Sequence, residues 1–166
     1  ADVRALREAY PGVPIVTYIN TYADVKAECD ICCTSSNAAA VVESLQSDTV
    51  IFLPDEFLAR NVARETGRHV IVPSVLRKGG LTAGGDDTTV EHTPEDVDVV
   101  RKKYTEVMIL AHPECSPEVT AKADFSGSTT AMMRAVEKSK ARRFLLLTEC
   151  SMGDNIVAAN PGKEML

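Results

Sequence analysis

The sequence predicts an α/β protein built from two similar three-layer αβα units, each with a short parallel sheet. Three observations support this prediction: helical and strand patterns alternate, the second half repeats the first, and 45% of the 166 residues are hydrophobic. Alternating patterns are typical of parallel strands joined by crossover helices. A chain of this length and apolar content can bury a core, which argues against a disordered protein.

The elements of the first half alternate between amphipathic segments, such as ADVRALREAY, and short apolar runs, such as TVIFL. Amphipathic periodicity predicts helices, and short runs rich in β-branched residues predict strands. In chain order we predict a helix near 2–9, strand 14–19, helix 22–28, strand 30–33, helix 37–45, strand 49–53, helix 55–65 and strand 69–73.

The second half continues the alternation with fewer recognisable strands. In chain order we predict helix 94–103, strand 106–111, helix 116–122, helix 128–139, strand 142–148 and a last helix near 153–158. Between the halves lies a segment rich in Gly, Thr and Asp, which lacks the phosphate-binding motifs GxGxxG and GxxxxGK[ST] and is typical of a loop. We therefore divide the chain into a unit 1–75, a loop 76–93 and a unit 94–166.

A shift of 94 residues lays the second half on the first without gaps. The strand IVTYIN falls on ILAHPE, Tyr10 falls on Tyr104, and Asp30 falls on Asp124. The hydroxyl run TSS at 34–36 falls on STT at 128–130. A fixed internal period indicates duplication of one supersecondary unit.

Charge and hydropathy exclude several classes of function. The formal net charge of −6 without a basic stripe argues against nucleic acid as the main partner. No apolar run reaches the roughly 20 residues of a membrane span, and the amino terminus does not have the pattern of a signal peptide. We expect a cytoplasmic protein with no membrane partner. The chain begins without Met, and we expect a fragment or a trimmed protein.

The five cysteines are Cys29, Cys32, Cys33, Cys115 and Cys150. Their odd number and the lack of a secretory context argue against a disulfide framework. Cys32 and Cys33 are adjacent in a predicted strand, so their thiols point to opposite faces and we interpret them as buried structural cysteines. We predict no local zinc site from these residues.

Polar residues end two of the predicted strands. In an open parallel sheet, ligands bind beyond the carboxyl ends of the strands, which selects Tyr18, Asn20, His112 and Glu114 as candidates. His112 and Glu114 alternate along an extended segment, so both point to one side, and an imidazole beside a carboxylate can move protons near neutral pH. The structural alternatives are that Asn20 caps a helix beginning at Thr21, that Glu114 favours a helix dipole, and that the pair is a surface hydrogen bond.

The two hydroxyl runs follow strands and open helices. Free N–H groups and the dipole at a helix amino terminus suit a carboxylate or phosphate, so Ser35, Ser128 and Thr129 are candidate ligands of a shared anion site. Ordinary helix capping by Ser and Thr is the structural alternative.

Five ordered segments resemble the quinolinate synthase family of NAD biosynthesis over nearly the whole chain except residues 74–92. These segments are YINTYADVKAECDICCTSSNA, FLPDEFLARNVARETG, AHPECSPEV, ADFSGST and LLTECSMGDNI. The resemblance implies a fold of three pseudo-threefold α/β repeats, of which this chain has two. It implies condensation of iminoaspartate with dihydroxyacetone phosphate to quinolinate, with a [4Fe–4S] cluster held by three cysteines.

The resemblance also implies roles for particular residues. The family's YxN motif maps onto Tyr18 and Asn20, its TS motif onto Ser35, its HPE motif onto His112 and Glu114, and its GST motif onto Ser128 and Thr129. Hydroxyl and amide groups at these positions bind substrate carboxylates and phosphate, while Tyr18, His112 and Glu114 are the expected acid–base residues. The same residues are selected by their position at strand ends.

This sequence departs from the family at the cluster ligands. The family's GxCxVH motif falls on GGDDTTVEH, with Asp87 in place of the cysteine and Val90 in place of the histidine. The other two cluster cysteines lie outside the matching segments, so we expect this chain alone to lack the cluster and to be inactive. The alternative function is a non-catalytic α/β module that binds a small dicarboxylate or phosphate.

Overall fold

A computed structural model describes residues 3–73, 92–148 and 150–166 of the chain. The chain divides into two compact units, Ala1–Asp87 and Thr88–Leu166. Each contains a four-stranded, wholly parallel sheet with helices between successive strands. The predicted fold class is therefore confirmed. Among the described residues, no helix is both long enough and apolar enough to cross a bilayer.

The first unit has the strand order β2-β1-β3-β4. Its elements are α1 (Val3–Ala9), β1 (Ile15–Tyr18), α2 (Ala23–Ala27), β2 (Ile31–Cys33), α3 (Ala38–Ser44), β3 (Thr49–Leu53), α4 (Glu56–Thr66) and β4 (His69–Ile71).

The second unit has the strand order β6-β5-β7-β8. Its elements are α5 (Pro94–Lys103), β5 (Val107–Ala111), α6 (Pro117–Lys122), β6 (Phe125–Ser126), α7 (Thr129–Lys138), β7 (Arg143–Leu147), α8 (Cys150–Ala159) and β8 (Glu164–Met165).

The strand register confirms the predicted duplication. Val16 lies opposite Ile31 in the first unit, and the residues 94 positions later, Leu110 and Phe125, lie opposite each other in the second. Where the first and third strands of each unit pair, partner residues are separated by the same number of positions along the chain. The two units are thus copies of one arrangement, aligned residue by residue over their first three strands.

Two strands of the second unit were not predicted, β6 (Phe125–Ser126) and β8 (Glu164–Met165). Each has two residues, which is too short for an alternating pattern to be recognised. The last helix begins at Cys150 rather than near 153, and β4 ends at Ile71 rather than 73. The predicted loop at 76–93 lies almost wholly outside the described residues.

Each sheet is covered on both faces, which confirms the predicted three layers. In the first unit, Val16 and Phe52 pack with residues of α3 and α4, whereas Ile15 and Ile51 pack with residues of α1 and α2. The second unit repeats this division, with α5 and α6 on one face and α7 and α8 on the other. Side chains alternate across a strand, so burial on both faces explains the continuous apolar runs in the sequence.

An arginine–aspartate clasp joins the beginnings of β1 and β2. Asp30 Oδ1 accepts a hydrogen bond from Arg7 Nη2 at 2.8 Å, and its Oδ2 accepts one from the Ile15 N–H at 2.8 Å. Arg7 Nη2 also donates to the carbonyl oxygen of Glu28 at 2.8 Å. The clasp fixes the amino-terminal edge of the sheet.

The second unit contains the same clasp at the equivalent positions. Asp124 accepts from Arg101 at 2.8 Å and from the Ile109 N–H at 2.8 Å, and Arg101 donates to the carbonyl of Lys122 at 2.9 Å. A repeated clasp of this kind shows that the duplication extends to individual hydrogen bonds.

Candidate anion-binding site

The predicted site residues occupy equivalent places in the two units. Tyr18 corresponds to His112, Asn20 to Glu114, and Ser35 to Thr129, because each pair is separated by 94 residues. Tyr18 and His112 lie at the ends of the first strands of their units, β1 and β5. Ser35 and Thr129 follow the neighbouring strands, β2 and β6. The carboxyl ends of parallel strands meet at one edge, so each unit gathers its candidates there.

In the first unit, the ends of β1 and β2 are joined by backbone contacts. Tyr18 lies opposite Cys33, and the Ile19 N–H donates to the Cys33 carbonyl at 2.9 Å. Asn20 and Ser35 each follow this pair by two residues, so they belong to the same edge. Asn20 is exposed and Ser35 is half-buried, whereas Tyr18 is 8% exposed and packs within the core.

The structure does not support the capping alternative for Asn20. The residue that precedes α2 is Tyr22, and Asn20 lies two positions before it. The side chain of Tyr22 makes no capping hydrogen bond to α2, all of whose residues are described. Asn20 therefore lies at the carboxyl end of β1 without serving as the helix cap.

The turn after β2 is held by its own side chains. Asn37 Oδ1 accepts hydrogen bonds from the Thr34 N–H at 2.7 Å and from Thr34 Oγ1 at 3.1 Å, and the hydroxyls of Thr34 and Ser36 lie 2.7 Å apart. Asn37 is the N-cap of α3, yet its side chain makes no capping bond to that fully described helix. The amide is used to shape the turn that carries Ser35.

In the second unit, His112 and Glu114 contact each other at the end of β5. Glu114 Oε2 lies 3.0 Å from His112 Nδ1, and the Glu114 N–H lies 3.4 Å from the same nitrogen. Nδ1 cannot both donate to the carboxylate and accept from the N–H. The shorter, charge-assisted contact favours a proton on Nδ1, an assignment made from the geometry.

The environment of this pair is not that of a surface hydrogen bond. The His112 side chain is 7% exposed and that of Glu114 is 39% exposed. The His112 N–H donates to the carbonyl of Leu147 at 3.0 Å, which ties the residue to the end of β7. The imidazole is thus buried at a strand end, while the carboxylate beside it still reaches solvent. Such a pair can hold and transfer a proton.

The turn after β6 depends on a close approach at Gly127. Its N–H donates to the carbonyl of Ala111 at 3.2 Å, and a Cβ added here would lie 2.9 Å from the Phe125 ring and 3.1 Å from the Ala131 methyl. Only glycine fits without displacing its neighbours. Gly127 was not among the predicted site residues, although its place in SGST, between a strand and a helix, was the available signal.

Ser128 is the N-cap of α7, but its side chain makes no capping hydrogen bond to that helix, whose residues are all described. Elsewhere in the chain Thr93 and Ser116 do cap their helices, accepting from the N–H groups of Asp96 at 3.2 Å and Val119 at 3.3 Å. Ser128 thus occupies the capping position without making the side-chain hydrogen bond of a cap. In the first turn of α7, the backbone N–H groups and the positive end of the helix dipole lie beside the exposed Thr129, a setting suited to an anion.

The described cysteines do not fit an iron–sulfur cluster. Cys33 is buried and desolvation raises its pKa to about 11, which opposes the thiolate that a metal requires. The thiols of Cys29 and Cys115 donate to the carbonyls of Val25 at 3.2 Å and Leu147 at 3.3 Å. Within residues 3–73, 92–148 and 150–166, no group of three His, Cys, Asp or Glu side chains is placed to hold a metal ion.

The prediction of two buried cysteines in β2 is half right. Cys33 is buried, but Cys32 is exposed because β2 is an edge strand of its sheet. Asp87, Val90 and the side chain of Cys150 lie outside what the structure describes, so the predicted loss of the cluster cysteine at position 87 stays a prediction.

These features define a class of protein: a duplicated α/β protein whose strand ends carry hydroxyl, amide, imidazole and carboxylate groups. The family model described as Quinolinate synthetase A protein matches residues 1–166. The chain therefore belongs to the quinolinate synthetase A family, as its resemblance implied.

Relatives in several bacteria agree with this assignment. The chain is 50% identical over 165 residues to "Quinolinate synthase 2" of Mesorhizobium japonicum, covering 99% of this chain and 48% of that protein. It is 49% identical over 166 residues to quinolinate synthase of Sinorhizobium medicae, covering 100% of this chain and 44% of that protein. For quinolinate synthase of Xylella fastidiosa, the identity is 47% over 165 residues, 99% of this chain and 46% of that protein. The chain thus spans about half the length of these relatives.

Proposed function

We propose that this chain carries part of the active site of a quinolinate synthase, which condenses iminoaspartate with dihydroxyacetone phosphate in the biosynthesis of NAD. The single observation that carries the proposal is the His112–Glu114 pair, whose Nδ1 and Oε2 atoms lie 3.0 Å apart. Its position at the end of β5, beside the strand that leads to Ser128, supports a role next to a bound anion in a chain of this family.

Substrate binding falls to the hydroxyl and amide groups. Ser128 and Thr129, at the amino terminus of the ten-residue α7, suit a carboxylate or a phosphate. Asn20 and Ser35 provide an amide and a hydroxyl at the equivalent edge of the first unit. Both substrates are anions, so neutral donors and a helix dipole can hold them without a buried countercharge.

Proton transfer falls to Glu114, His112 and Tyr18. Condensation followed by loss of water requires protons to be removed from carbon and returned to a leaving oxygen. Glu114 is the first choice because its carboxylate is partly exposed and is oriented by His112. Tyr18 occupies the place equivalent to His112 and is the third candidate.

The [4Fe–4S] cluster that the family implies would act as a Lewis acid when bound. The described cysteines lack the arrangement to hold it. The alternative function is a non-catalytic module that binds a small dicarboxylate or phosphate through the same hydroxyl groups.

The test exchanges residues 94–166 into the matching segment of the Mesorhizobium japonicum relative and compares Glu114→Gln with Glu118→Gln. Glu118 is an exposed residue of α6 and provides the same change of charge away from the pair. Loss of a positioned acid–base group lowers turnover by roughly 100-fold or more. We expect quinolinate formation to fall by that factor for Glu114→Gln alone, with dihydroxyacetone phosphate affinity retained.

Equal turnover in the two variants would refute the catalytic role of Glu114. An exchanged protein that binds dihydroxyacetone phosphate but forms no quinolinate, even with Glu114 intact, would favour the binding module.

A further inference from the structure

The first unit contains a C-x-x-C spacing, Cys29–Asp30–Ile31–Cys32. Since no local zinc site is predicted, this pair of thiols is left without a role. Cys29 follows the C-cap of α2, and Cys32 lies in the edge strand β2. Such a pair beside a βαβ pattern is typical of thiol–disulfide chemistry.

The two thiols lie on the same face of the sheet. Ile31 and Cys33 pack into the cluster that contains Val16, so the intervening Cys32 points to the opposite face. Cys29 packs against the cluster on that opposite face, which contains Ile15.

Thr17 lies on this same face of β1, next to Cys32. The two residues lie directly opposite each other in the register of β1 and β2. Cys29 packs against the cluster that contains Ile15, which lies two residues before Thr17 and points to the same face. The two thiols therefore lie over the same stretch of β1.

The fold itself does not require thiols at these positions. The residues 94 positions later are Ala123 and Ser126, in a unit that has the same strand register and the same clasp. Alanine and serine fill the same places in that copy, so packing alone does not explain the pair.

We propose that Cys29 and Cys32 form a dithiol that closes to an intramolecular disulfide by exchange with a low-molecular-weight disulfide such as oxidised glutathione. The Cys32 thiolate attacks a glutathione sulfur, which forms a mixed disulfide and releases one glutathione thiolate. The Cys29 thiolate then attacks Cys32 Sγ and releases the second. The protein loses two electrons and two protons, and both are taken up by the two glutathione molecules.

The surroundings of the cysteines set this order. Cys32 is exposed and meets the oxidant first, whereas Cys29 is half-buried. Burial raises the pKa of Cys29, so Cys29 suits the slower resolving step. Cys33, with a pKa raised to about 11 by burial, stays reduced.

The experiment incubates the folded chain with oxidised glutathione, quenches with acid, and counts thiols after denaturation. We expect the count to fall from five to three, with a mass loss of about 2 Da, and peptide mapping to locate the bond between residues 29 and 32.

Cys29→Ala and Cys32→Ser introduce the residues of the second unit, and circular dichroism checks that both fold. Cys29→Ala should retain a glutathione adduct on Cys32, and Cys33→Ala should still close.

Three results would overturn the proposal. They are a wild-type chain that keeps all five thiols, one that keeps a glutathione adduct without closing, and a bond mapped to any other pair of cysteines or between chains.

Discussion

Replacing Asp30 by alanine tests the arginine–aspartate clasp most sharply. Ile15, whose N–H donates to Asp30, is fully buried, and losing the partner of a buried N–H costs roughly 1–3 kcal/mol. The ion pair with Arg7 joins two side chains that are 43% and 39% exposed, so its loss adds only about 0.2–1 kcal/mol. We expect Asp30→Ala to lower the free energy of unfolding by roughly 1–4 kcal/mol.

The assay is urea unfolding followed by circular dichroism, with hydrogen exchange at the Ile15 amide as a local measure of opening. Arg7→Met is the matched control, because it removes the ion pair but leaves the carboxylate bound to the Ile15 N–H. Asp124→Ala should repeat the effect of Asp30→Ala, since Ile109 has the same contact at 2.8 Å. Equal destabilisation by Asp30→Ala and Arg7→Met would refute the role given to the bond between Asp30 and the Ile15 N–H.

Two further predictions concern helix capping and pH. Ser116→Ala should lower the free energy of unfolding by about 1 kcal/mol because the Ser116 side chain caps α6. Ser128→Ala should change the free energy of unfolding by less than about 0.5 kcal/mol. The same substitution should weaken dihydroxyacetone phosphate binding roughly tenfold, as measured by calorimetry. Burial raises the pKa of Asp30, but the hydrogen bonds from Arg7 and Ile15 outweigh it and leave that pKa below its usual value. The stabilising contribution of Asp30 is therefore full above the unfolded pKa of about 3.9 and is lost as the pH falls through the folded pKa. The same dependence of stability on acid pH in Asp30→Asn and in the wild type would contradict this.

The sequence predicted the layers and most elements because strands buried on both faces produce continuous apolar runs. It did not predict β6, although the shift of 94 residues makes Phe125 equivalent to Ile31, a residue of the predicted strand 30–33. β8 was harder to predict, since Arg143 pairs with Glu164 whereas Thr49 pairs with His69, a separation of 21 residues against 20. One extra residue in the second unit shifts the internal alignment there.

The candidate site was predictable in position but not in detail. The rule for strand ends selected Asn20 and Glu114, because the polarity of a residue after an apolar strand is visible in the sequence. Whether Ser128 caps its helix depends on its side-chain conformation, which the sequence does not determine. The exposure of Cys32 depends on β2 being an edge strand, which is a property of the whole sheet.

Titration of the isotope-labelled chain with dihydroxyacetone phosphate, followed by amide chemical shifts, tests most directly whether the strand ends bind an anionic substrate. We expect saturable shifts at Asn20, Ser35, Ser128 and Thr129, and none of comparable size with dihydroxyacetone, which lacks the phosphate. Shifts confined to other surfaces, or equal responses to the two compounds, would contradict it.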